Sequence, residues 1–109
     1  MGNKKASGYI RVATEDRNAI DDQKRSIENT AFKKEYELTS IYIDTGSGAS
    51  LDRDGIKRLL GDASENKIDT VIVHSLDKLS TDEHHTKELL DKLASSDVGV
   101  YSVTEERFI

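Results

Sequence analysis

Apolar and polar positions along this chain switch between a period of two and a period near 3.6. In Tyr9-Ile10-Arg11-Val12-Ala13-Thr14 the period is two: Tyr9, Arg11 and Ala13 share one face, Ile10 and Val12 the other. This predicts a first strand over residues 8–13, after a polar leader at residues 1–7. Ile20, Ile27 and Ala31 then recur at helical spacing, flanked by Phe32 and Tyr36. Asn18 is the expected cap of that helix, with Asp21 and Asp22 favoured in its first turn by the helix dipole. Residues 38–43 predict a second strand with Ile41 and Ile43 on one side. Asp52 is the expected start of a second helix carrying Ile56, Leu59, Leu60 and Ala63, closed by Glu65-Asn66-Lys67.

Thr70-Val71-Ile72-Val73-His74 is a continuous, β-branched run, as in a central strand covered on both faces. Ser80 with Glu83 reads as a capping box for a third helix, whose buried stripe is Leu89, Leu90, Leu93 and Ala94. Ser95-Ser96-Asp97 is a turn, and residues 98–103 form the fourth strand. The order is βαβαβαβ, which predicts one three-layer α/β domain over residues 8–109, a parallel sheet of about four strands with helices on both faces.

Composition narrows the function classes. The 109 residues are 35% hydrophobic and 34% charged, compatible with one modest core because the apolar residues are patterned. There is no cysteine, so neither a disulfide nor a thiolate metal site can form, and a reducing cytoplasm is the expected compartment. No apolar run reaches the length of a membrane span, so no membrane partner is expected. The net charge is −5, whereas a free-standing nucleic-acid binder is usually basic. Any grip on DNA is therefore expected from other regions or partner subunits.

Candidate chemistry falls beyond the C-terminal ends of the expected strands, where open parallel sheets bind ligands. Arg11 and the Ala13-Thr14 turn end the first strand. Asp44 to Arg53, including the Gly/Ser stretch at residues 45–50, follow the second. Asp77 and Lys78 follow the third. An arginine inside an apolar strand needs a partner or an anion. Arg11, Arg53 and Lys78 converging on a phosphate supplies one reading, and a structural ion pair for Arg11 the other. There is no GxGxxG after the first strand and no GxxxxGK[ST]. Adjacent His84 and His85 cannot chelate from one helical face, and His74 reads as a core or rim residue, so no metal is expected. Glu15, Asp16 and Asp77 loosely match a phospho-receiver domain, but no lysine at the end of a fifth strand completes the set.

Three stretches together resemble the catalytic domain of the serine recombinases, the resolvase/invertase and large serine integrase family. They are Tyr-Ile-Arg-Val-Ala-Thr at 9–14, Ser-Gly-Ala-Ser-Leu-Asp-Arg at 47–53 and Leu-Asp-Lys-Leu-Ser at 76–80. Gln23 falls where that family commonly has a glutamine, and the resemblance spans about residues 8–106. It implies a flavodoxin-like fold and DNA cleavage and rejoining through a 5′-phosphoseryl link. It also implies no metal or cofactor, and dimers that pair into tetramers.

The same resemblance implies site roles. Ala13 stands where the family has its nucleophilic serine, and a methyl group cannot attack phosphorus. Thr14, one residue on, should aim elsewhere. Arg11 and Arg53 match phosphate-binding arginines, Asp77 the aspartate that orients them, and Ser47 and Gly48 a mobile loop. Lys78 and Thr81 replace two further arginines. Lysine keeps the charge but not the planar fork, and threonine keeps neither. The expected function is a site-specific recombination domain that is inactive or impaired as written. The alternatives are a pseudo-recombinase acting through protein contacts and, more weakly, a phospho-receiver. The resemblance also implies a missing oligomerisation helix and DNA-binding region.

Overall fold

The computed structural model describes residues 4–46 and 53–109. The elements are β1 (Lys5–Val12), α1 (Arg17–Lys33), β2 (Glu37–Thr45), α2 (Asp54–Ser64), β3 (Thr70–Val73), a 3-10 turn (Leu76–Lys78), α3 (Glu83–Ser95), β4 (Gly99–Ser102) and β5 (Arg107–Phe108). They form one five-stranded sheet in the order β2-β1-β3-β4-β5. The first four strands are parallel, and β5 is antiparallel to β4.

The period-two pattern of β1 divides two cores. Tyr9 points to the side covered by α2 and α3, where Ile56, Leu59, Leu89 and Leu93 meet Val71 and Val73. Ile10 and Val12 point to the side covered by α1, against Ile27, Ala31, Ile72 and Tyr101. The fold is thus three-layered, as the alternating pattern implies. β3 lies inside the sheet and all four of its residues are buried. Each fully buried Leu or Ile removes enough apolar surface to contribute about 1.5–3 kcal/mol. Gly8 allows α1 to lie close: a Cβ there would stand 2.8 Å from Ile27 Cγ2.

Several boundaries differ from the sequence reading. β1 begins at Lys5, not at residue 8, and Ala6 and Ser7 are fully buried. The polar leader therefore reaches too far, because a strand pairing on both edges buries even a serine. α1 is capped by Asp16, whose carboxylate accepts from Ala19 N at 3.2 Å, rather than by Asn18. α3 is capped by Asp82, which accepts from His84 N at 2.8 Å, rather than by a Ser80–Glu83 box. Ser80 instead accepts from Asp82 N at 3.0 Å and steadies the entry to the helix. α2 is described from Asp54, and Asp52 lies outside the described residues. Phe32 is 85% exposed and Ala94 is also exposed, so neither joins a core. The edge strand β5 was not anticipated. Phe108 pairs with Tyr101, their rings 5.2 Å apart and edge to face.

Candidate functional site

The strand order reverses between β1 and β3, since the chain leaves β1 towards β2 on one side and returns to β3 on the other. A crevice beyond the strand ends at such a reversal is the usual ligand position in open α/β sheets. Arg11 stands there, near the end of β1 and only 7% exposed. Its guanidinium makes three hydrogen bonds, all to main-chain carbonyls. Nε donates to Lys78 O at 3.2 Å, Nη2 to Asp77 O at 2.9 Å and Nη1 to Gly46 O at 3.1 Å. No carboxylate among the described residues pairs with it. The Arg11 carbonyl in turn accepts from Gln23 Nε2 of α1 at 3.3 Å.

Arg53 reaches the same turn from the start of α2. Its Nη2 donates to Leu79 O at 2.6 Å and its Nη1 to the Tyr9 hydroxyl at 2.7 Å. Two buried guanidiniums thus hold three successive carbonyls, those of Asp77, Lys78 and Leu79. The carbonyls at the end of a short 3-10 turn lack partners within it, and cations are favoured at that negative end.

Asp44 is the residue the sequence reading left without a role. Arg53 occupies the N-cap position of α2 but makes no side-chain cap. The cap comes from β2 instead: Asp44 Oδ1 accepts from Gly55 N at 2.8 Å and Oδ2 from Ile56 N at 3.1 Å. Oδ2 also accepts from the Tyr9 hydroxyl at 2.7 Å. A carboxylate at a helix N-terminus meets both orphan N–H groups and the positive end of the dipole. Burial, followed by the hydrogen bond to Asp44, raises the Tyr9 hydroxyl far above its ordinary range, so it stays protonated as a donor. Tyr9 therefore links Asp44 to Arg53. The only sequence signal for Asp44 was an acidic residue closing a strand, which is too common to single it out.

The remaining candidates sort plainly. Ala13 is exposed, two residues beyond Arg11 on the way out of β1. Thr14, Glu15 and Asp16 are exposed beside it. Lys78 contributes its carbonyl to Arg11, and its ammonium has no partner among the described residues. Asp77 meets Arg11 through its main chain rather than its side chain, and its carboxylate accepts from the Ser75 hydroxyl. Thr81 is exposed. Ser47 and Gly48 lie outside the described residues. His74 is half-buried, with Nδ1 3.1 Å from Ser26 Oγ. Among the described residues no group of three or more His, Cys, Asp or Glu side chains is arranged to hold a metal ion. No helix among them is long and apolar enough to cross a membrane.

A parallel sheet with reversed strand order and two buried arginines near its switch point defines an open α/β domain. Residues 6–108 match the family model described as the resolvase N-terminal domain. The chain is 30% identical over 98 residues to the transposon Tn501 resolvase of Pseudomonas aeruginosa. It is 32% identical over 98 residues to the serine recombinase Gin of Escherichia phage Mu. Each alignment covers 90% of this chain but 46% of the relative, so the chain spans less than half the length of either protein. The solved N-terminal catalytic domain of TP901-1 integrase superposes with a TM-score of 0.89 at 32% identity, covering 96% of this chain and 82% of that one. The chain belongs to the resolvase N-terminal domain family, that of the serine recombinase catalytic domains. This sets aside the phospho-receiver reading.

Proposed function

We propose that this domain receives a DNA phosphodiester at the crevice above Arg11 and Arg53 and, with Ala13 at the nucleophile position, does not cleave it. The observation that carries this is the Arg11 guanidinium, buried at the switch point with no carboxylate partner among the described residues. A buried cation compensated only by neutral carbonyls is costly and gains from an anion. Tyr9 stands between Asp44 and Arg53, donating to Asp44 Oδ2 and accepting from Arg53 Nη1. Recombination of DNA by the whole protein, with cytoplasmic residence and assembly into dimers or tetramers, is the corresponding reading at full length. Neither a metal nor a cofactor enters it.

The test is fluorescence anisotropy of a short labelled duplex at low salt. The unaltered domain should bind weakly, with affinity falling as salt rises. Arg53→Ala should weaken binding further. Salt-independent binding, or none at any salt, overturns the reading.

A second reading has specific support in Ala13, Lys78 and Thr81, three positions where the resemblance expects serine or arginine. On this reading the domain is a pseudo-recombinase that acts by associating with an active relative. Mixing it with such a relative should change the yield of cleaved DNA. No association and no change in yield removes this reading.

A further inference from the structure

Phe32 is the most exposed large apolar residue described, 85% accessible on α1, while Ile27 and Ala31 of the same helix are buried beneath it. Cations outnumber anions around it. Arg25, Lys33 and Lys34 stand against Glu28 and Glu35, all five exposed. Arg25 and Glu28 lie two turns and one turn before Phe32, on its own helical face. On the other layer of the domain, α3 and the 3-10 turn before it enclose a groove of about 400 Å³. Its apolar lining includes Leu76 and Leu90, both half-buried against the α2 and α3 core. Its charged lining is Asp77, Glu83 and Asp91 against Lys87, the opposite balance to that around Phe32.

We propose that Phe32 of one copy docks in the α3 groove of a second copy, so that the domain associates head to tail. α1 covers one face of the sheet and α3 the other, so Phe32 cannot reach the groove of its own chain. For the same reason two rigid copies cannot engage both contacts at once. The contact joins two different surfaces and is heterologous: every added copy leaves one Phe32 and one groove free, and growth passes beyond a dimer. An aromatic ring gains by leaving water for an apolar concavity, since it buries about 150–250 Å². The surplus carboxylates of the groove meet the surplus cations beside Phe32. Groove against groove, or helix against helix, would set like charges together. One such anchor buries less than the roughly 1,200 Å² of a stable interface, so the association is weak and depends on concentration. It is separate from the crevice at Arg11.

The test is sedimentation velocity of the unaltered chain over rising protein concentration, alongside two variants at exposed positions. The average sedimentation coefficient of the unaltered chain should rise past the dimer value. Phe32→Ala should weaken association about tenfold or more, as for loss of an aromatic anchor, with no fall in melting temperature. Asp91→Lys reverses a charge in the groove lining and should also weaken association, again with no fall in melting temperature. Mixed together, the two variants should associate more strongly than either does alone and stop at a dimer. The first keeps its groove and the second keeps its Phe32, so one intact contact remains between them. A monomer at every concentration overturns the proposal. So does association that stops at a dimer in the unaltered chain, survives Phe32→Ala unchanged, or is not restored by mixing.

Discussion

The Asp44 carboxylate lies against the backbone of Gly55, its Oδ1 2.8 Å from Gly55 N, and only a residue without a side chain permits this approach. A Cβ on Gly55 would sit 2.7 Å from Asp44 Oδ2 and 2.8 Å from Oδ1. Asp44 would be displaced, and with it the α2 cap and the acceptor for Tyr9. Gly55→Ala should therefore destabilise the domain by about 1–3 kcal/mol, the usual cost of overpacking plus a lost cap. Gly61→Ala, in the same helix with open space at its Cβ, should instead stabilise by about 0.5–1 kcal/mol. Urea unfolding of both variants measures the contrast, and equal effects would refute the role given to Asp44.

Tyr9 makes the alkaline limb of stability diagnostic. Its folded-state pKa is raised above the ordinary 10.0 by burial and by the bond to Asp44. The folded state then holds the proton more tightly than the unfolded chain. This contribution is fully present below pH about 10 and is lost as pH rises beyond it. Tyr42, pushed up to about 12 by burial and its bond to Asp62, acts in the same direction. Tyr9→Phe should show a shallower loss of stability above pH 10 than the unaltered protein. At neutral pH it should cost about 1–3 kcal/mol, because Asp44 loses a donor and Arg53 an acceptor. Parallel stability–pH curves would contradict the Tyr9 assignment.

Gly8 tests the packing of α1. A methyl group there meets the branched Cγ2 of Ile27 at 2.8 Å, with Ile27 Cδ1 and Ile41 Cγ1 both at 3.3 Å. Ile27 is fully buried and β-branched, so it has few rotamers to retreat to. Gly8→Ala should destabilise by about 1–3 kcal/mol in chemical denaturation. A neutral result would mean that α1 sits farther from the sheet.

Ser102 offers a change of opposite sign. Its hydroxyl is fully buried on β4 with no hydrogen-bond partner among the described residues. Removing an unsatisfied buried hydroxyl relieves its desolvation cost, so Ser102→Ala should stabilise by about 1 kcal/mol. A measurable loss of stability would show that the hydroxyl has a partner.

What could be read from the sequence, and what could not, follows from the range of each interaction. The alternation of Tyr9, Arg11 and Ala13 with Ile10 and Val12 reports a local geometry, and it correctly assigned the faces of β1. The Thr70–Val73 run likewise reported a buried central strand. Ala94 misled because an apolar side chain in a helix says nothing of its face unless its angular position is followed. Asp16 and Asp82 were passed over for Asn18 and Ser80, although every one of these residue types can cap a helix. The Asp44 cap was not legible because a strand supplies it to a helix start ten residues on. Nor was the use of Arg11, since main-chain carbonyls carry no sequence signature.

The most direct measurement is intact-mass analysis after incubation with an activated phosphodiester, bis(4-nitrophenyl) phosphate, which needs no DNA-binding region. In the Ala13→Ser variant, attack of the hydroxyl on phosphorus should expel one 4-nitrophenolate and leave a 4-nitrophenyl phosphodiester on residue 13. The unaltered chain should gain no mass. An adduct on the unaltered chain, or none on the Ala13→Ser variant, would contradict the assignment of residue 13 as the vacated nucleophile position beside Arg11.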